Sequence, residues 1–92
     1  MSEDDPFSLL CSAITGHREV EFSYSGLNMI IRPHVLYNAA DGTLTIAGMN
    51  GDIPVHIAVA QIKNLVIAPR YFQPNAAFNL GDSRYRNAHA IV

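Results

Sequence analysis

Arg32 and His34 stand two residues apart in an otherwise apolar run, Met29-Ile-Ile-Arg-Pro-His-Val-Leu-Tyr37, and that spacing puts both side chains on one face of a strand. Ser23, Thr45 and His56 join them on that face if neighbouring strands pair in sequence order. A guanidinium among hydroxyls and imidazoles can hold an anionic or nucleotide-like ligand through charge-assisted hydrogen bonds. The competing expectation is a hydrated outer sheet face with no ligand at all.

Other chemistries find less support. His17, His34, His56 and His89 show neither the i, i+4 helical spacing nor the close pairing of a metal site, so no metal is expected. Cys11 falls on the apolar stripe of a helix, where a buried, inert thiol is expected and no basic neighbour would stabilise a thiolate. Glu3-Asp4-Asp5 sits where a helix start favours negative charge, and Glu19 and Glu21 share a strand face without a partner to split their pKa values. Gly48 and Gly51 lie in a turn between strands, with no following helix to make a phosphate loop. The chain does not read as an enzyme, and no cofactor is implied.

The elements that would position these groups follow from changes of period. Asp5-Pro6 opens a helix, Phe7, Leu10, Cys11 and Ile14 form its apolar stripe, and Gly16 stops it. From Glu19 the period becomes two, with Val20, Phe22 and Tyr24 against Glu19, Glu21 and Ser23. Ser25-Gly26-Leu27-Asn28 turns the chain into a longer strand, Met29 to Tyr37. There Pro33 cannot donate to a ladder and predicts an edge position, a bend or a bulge. Asp41-Gly42 is a turn before Thr43 to Gly48, with Leu44 and Ile46 inward and Thr43, Thr45 and Ala47 outward. Ile53 to Val59 alternates again, a one-turn break covers Gln61 to Lys63, and Asn64 to Ala68 forms a fifth strand. The expected fold is mainly β: a small five-stranded antiparallel Sm-like or SH3-like barrel with one N-terminal helix and an extended C-terminal tail. Residues 5–80 form that domain, with Phe72 and Phe78 clipping its last part in place, and 81–92 form a tail that is disordered or ordered by a partner.

Ninety-two residues suffice for one domain. Charged residues make up 15% against a typical value of about 25%, a deficit that hints at self-association. With a net charge of −2 there is no overall positive field to gather nucleic acid from a distance. A single cysteine, an acidic start and the lack of a membrane-length apolar run lead to the expectation of a cytoplasmic chain without membrane contact.

The order and spacing of several pieces resemble the WYL domain family, bacterial Sm-like barrels named for a Trp-Tyr-Leu run. The pieces are Ala13-Ile14, Val20-Glu21-Phe22-Ser23-Tyr24, Arg32-Pro33-His34-Val35-Leu36, Asp41-Gly42 before Leu44-Thr45-Ile46-Ala47-Gly48, Ile62-Lys63-Asn64-Leu65 and Tyr71-Phe72-Gln73-Pro74. The resemblance covers nearly the whole chain, from Leu9 to Leu80. The resemblance implies a regulatory, ligand-sensing module, often tied to transcription, that binds a nucleotide or single-stranded nucleic acid. It carries over Tyr24, His34 and Thr45 as site positions, to which the face argument adds Arg32 and His56. Leu44-Thr45-Ile46 stands in place of the naming run, and Met29 and Gln61 stand where the family carries arginine. A divergent barrel kept for homo- or hetero-assembly through its sheet edges or tail is therefore the alternative expectation.

Overall fold

The structure is a computed structural model that describes residues 5–74, 78 and 81–92. Glu3-Asp4 and Leu80, at the two ends of the stretch discussed above, lie outside the described residues. Helix α1 spans Pro6–Thr15 and is followed by strands β1 (Arg18–Tyr24), β2 (Leu27–Asn38), β3 (Leu44–Asn50), β4 (Ile53–Ala58), β5 (Ile62–Tyr71) and β6 (Ala90–Ile91). Short 3-10 turns cover Val59–Gln61 and Ser83–Tyr85. The five long strands form one antiparallel sheet in the order β4-β3-β2-β1-β5, and β6 pairs with β2.

Pro6 sits at the start of α1, where its missing N–H costs nothing. Asp5 takes the N-cap position but makes no side-chain capping bond; its carbonyl accepts from the Leu9 amide at 3.0 Å. Leu10, Ala13 and Ile14 are fully buried, and removing each larger side chain from water contributes about 1.5–3 kcal/mol. The helix ends at Gly16, but the left-handed residue that redirects the chain is His17, with φ 55°.

The main core gathers the inward residues of all five long strands under α1. Val20, Phe22, Ile31, Leu36, Ile46, Ile57 and Ile62 pack there with Leu10, Ala13 and Ile14. A second core lies on the other face of β2 and β3, where Val35, Tyr37, Ala47 and Met49 are covered by Phe78 and Tyr85. The outward side of β3 is therefore not hydrated as expected: Thr45, Ala47 and Met49 are buried. Segment 81–92 contributes to this cover through Tyr85, with Ala88 packed against the same cluster.

Between Pro33 and Val35 the β2–β3 ladder shifts register, with Pro33 opposite Gly48 and Val35 opposite Ala47. One extra residue, His34, occupies that bulge, which is the bulge predicted at Pro33. Strict alternation would put Val35 with Ile31 and Leu36 with Arg32. The bulge reverses this, so Leu36 joins Ile31 in the main core and Val35 joins the second. Gly48 makes the crossing possible, because a Cβ there would collide with the Arg32 carbonyl oxygen and the backbone of Pro33.

Candidate functional site

The register puts Ser23, Arg32, Thr45 and His56 on the outer face of the sheet. Phe22 faces Met29, Arg32 faces Met49, Thr45 faces Tyr37 and Ala58, and Ala47 faces His56. Tyr24 is on the opposite face, half-buried against the main core with Val20 and Phe22. Ser23 and the five sequence candidates therefore divide between the two faces and, for His34, the bulge.

Arg32 is drawn to Glu19, whose other carboxylate oxygen takes Arg70: the Nε–O distances are 3.5 Å and 2.9 Å. Both arginines are about half exposed, so this is a surface network of modest strength. Thr45 is buried, and its hydroxyl donates to the Thr43 carbonyl at 3.0 Å, bracing the turn in which Asp41 accepts from the Thr43 amide. The Thr43 side chain, and after it the Thr43 amide, hold the Asp41 carboxyl below its usual range.

His34 is fully buried at the bulge, with Nδ1 2.7 Å from the Arg32 carbonyl. Its ring packs on Phe72 at 5.3 Å and Phe78 at 4.7 Å between centroids. Burial lowers its pKa, and the nearby Arg32 and His17 add to this against the carbonyl contact, which raises it. An enclosed ring of this kind is a packing group.

Rings continue from there across the outer face. Phe78 lies parallel to Tyr85 at 6.0 Å, and Tyr85 lies parallel to His56 at 6.5 Å, with both pairs at 15° between planes. At the other end His17 meets Phe72 at 6.0 Å. A column of six rings thus runs from His17 through Phe72, His34, Phe78 and Tyr85 to His56. Tyr37 crosses its far end, 73° from the plane of Tyr85, and its hydroxyl lies 3.0 Å from His56 Nδ1.

That end of the column opens into a cleft of about 320 Å³ between β4 and the C-terminal segment. Met49, Phe78 and Tyr85 form its floor, while Pro54, His56, Asp52, Asp82 and Arg84 form the rim. Partial burial lowers the His56 pKa, helped by the Arg84 charge and opposed by Asp82. Arg84 is tied to Asp82 at 3.2 Å. Asp82 caps the 3-10 turn by accepting from the Arg84 amide at 3.0 Å, and this bond holds its carboxyl below the usual range. Burial beside Tyr37 raises the Tyr85 phenol.

Arg84 is shared with a second, polar hollow of about 520 Å³, lined by Asn38, Ser83, Arg86 and Asn87. The two hollows together offer an apolar floor, carboxylates at Asp52 and Asp82, and the guanidiniums of Arg84 and Arg86, the first of them paired with Asp82. Of this group the sequence reading puts only His56 in a ligand site and gives Phe78 a packing role. Tyr85 and Arg84 lie in a stretch without periodicity, where the one available signal was an aromatic residue between two arginines.

Among the described residues, no three His, Cys, Asp or Glu side chains gather as a metal site. Cys11 is half-buried, and burial followed by the Asp5 charge raises its thiol pKa. No described helix is long and apolar enough to cross a membrane. No family model matches this chain, and no curated protein matches it.

Proposed function

We propose that this chain is a non-catalytic ligand-binding or regulatory module of WYL type, built on a small Sm-like barrel and acting in the cytoplasm. Support for the barrel comes from the strand order β4-β3-β2-β1-β5, the common core of all five strands, and the 3-10 turn that joins the two outermost strands. The proposed ligand is a nucleotide or a short single strand.

The observation that carries this proposal is the pair of hollows joined at Arg84. A flat base fits an apolar floor of Met49, Phe78 and Tyr85, and a phosphate suits Arg84 and Arg86 beside Ser83. Asp52 accepts hydrogen bonds only, so it favours a base that carries an exocyclic amine. The ligand site moves with this proposal. His56 remains in it, while Tyr24, Arg32, His34 and Thr45 support the frame.

Fluorescence polarisation with labelled single-stranded oligonucleotides and mononucleotide competitors, at low and moderate salt, tests the proposal. Saturable binding that is lost in the Arg84→Ala, Arg86→Ala double variant is expected. Absence of binding at roughly tens of micromolar protein refutes it.

The assembly alternative has its own support. Ile30 and Val66 flank Glu21 on the outer face and are 42% and 53% exposed, and Ile53 on edge strand β4 is 66% exposed. A concentration-dependent oligomer that ignores nucleotides is its signature.

A further inference from the structure

Strand β2 changes partners part-way along. Its first half pairs with β1 from Leu27 opposite Tyr24 to Ile31 opposite Val20. Arg18, at the start of β1, is already in register with Tyr71 of β5, and the chain then runs back into α1. The edge of β2 beyond Ile31 is thus vacated by β1, although His34, Val35 and Leu36 are fully buried. Buried carbonyls on a vacated edge require donors from elsewhere.

Strand β6 supplies them. Val35 pairs with Ile91 and Leu36 with Ala90, and the amides of His89 and Val92 donate to the carbonyls of Leu36 and His34 at 2.7 Å and 2.8 Å. Ala90 and Val92 pack against the main core near α1. His89 meets Phe7 of α1 edge-on at 5.1 Å and also bonds Asn38, while Ile91 stays 47% exposed. The groove between α1 and β2 therefore asks mainly for backbone: two N–H donors, a methyl at position 90 and a branched apolar side chain at 92. Such a demand is met by strand addition.

We infer that this groove is a strand-accepting site, filled in cis by residues 88–92, and that it takes the same segment from a second copy of the chain. A second copy presents the same donors and the same small side chains, so complementarity is guaranteed. Phe7 and Ile91, both partly exposed at the groove, form an apolar rim that a second copy would cover. The segment's hold in cis is short, at two paired residues, and its firmest buried anchor among the described residues of 81–92 is Tyr85 on the far side of the sheet. A tethered strand competes at an effective concentration on the order of millimolar, so exchange rises when that anchor is removed.

The test uses a labelled peptide of residues 81–92, the full chain and its Tyr85→Ala variant. The peptide is expected to bind the variant at least about tenfold more tightly than the unmodified chain, because releasing the Tyr85 anchor lengthens the free tether and lowers the effective concentration of the cis segment. N-methylation of the peptide at the His89 and Val92 amides should abolish the binding. Failure of the folded variant to bind the peptide overturns the inference, and so does binding that survives N-methylation. If Tyr85→Ala does not fold, hydrogen exchange in the unmodified chain decides. His89 and Val92 amides that open well before the β1–β2 ladder support exchange, and protection equal to that ladder overturns it.

Discussion

The imidazole of His34 stacks on the ring of Phe78, with centroids 4.7 Å apart and planes 25° apart, and Phe72 packs on the same imidazole. One buried side chain thereby bridges Phe72 and Phe78. His34→Ala should cost about 2–4 kcal/mol, as expected for emptying a buried ring site. Urea denaturation measures this. A loss under about 0.5 kcal/mol, the scale of an ordinary surface change, would show that the stack carries little.

Acid should weaken the fold at near-neutral pH. His34 and His56 both have pKa values lowered from 6.5, chiefly by burial. The unfolded chain therefore binds these protons first, so stability is full above about pH 6.5 and declines as pH falls below it. Denaturation midpoints at about pH 7.5 and about pH 5.5 should differ, and His34→Phe should narrow the gap. An equal gap in that variant would assign the acid sensitivity elsewhere.

Arg84 is next to burial as a cause of the low His56 pKa, while Asp82 works against it. Arg84→Ala removes the positive charge and leaves the carboxylate, so the His56 pKa should rise. Titration of the imidazole resonances by NMR reads the shift. An unmoved or lowered value would remove Arg84 from the surroundings of that ring.

Gly48→Ala is the severe small substitution. Its Cβ would run into the Arg32 carbonyl and the Pro33 Cα, which are backbone atoms that cannot rotate away. A loss at or above the upper end of roughly 1–3 kcal/mol is expected for such overpacking. Gly26→Ala gives a control, since φ of 80° strains it but nothing lies within 4 Å. Thermal melts should rank Gly48→Ala as the worse of the two.

Much of the frame was legible in the sequence. Pro6 and the Leu10-Ile14 stripe located α1, alternation located β1 and β4, and Asp41-Gly42 located the β2–β3 turn, because each is a local signal with a local cause. Strand β5 was expected at 64–68 and spans Ile62–Tyr71; Pro69 and Arg70 masked its second half. The faces of β2 were legible only up to Pro33, since one extra residue inverts the parity of everything after it. The cleft was harder still. Tyr85 of its floor and Arg84 of its rim come from residues 81–92, and what brings them to Met49 and His56 is tertiary packing, which leaves no period there.

The bulge at His34 also bears on how this chain tolerates changes in length. With Pro33 opposite Gly48 and Val35 opposite Ala47, deleting His34 would restore an unbroken ladder and leave Ile31, Val35 and Leu36 on the sides they already occupy. A one-residue deletion elsewhere in β2 would turn half the strand inside out. Position 34 is thus where the strand's length can change without changing its sidedness. The cost there is the local bend and the ring that links Phe72 to Phe78.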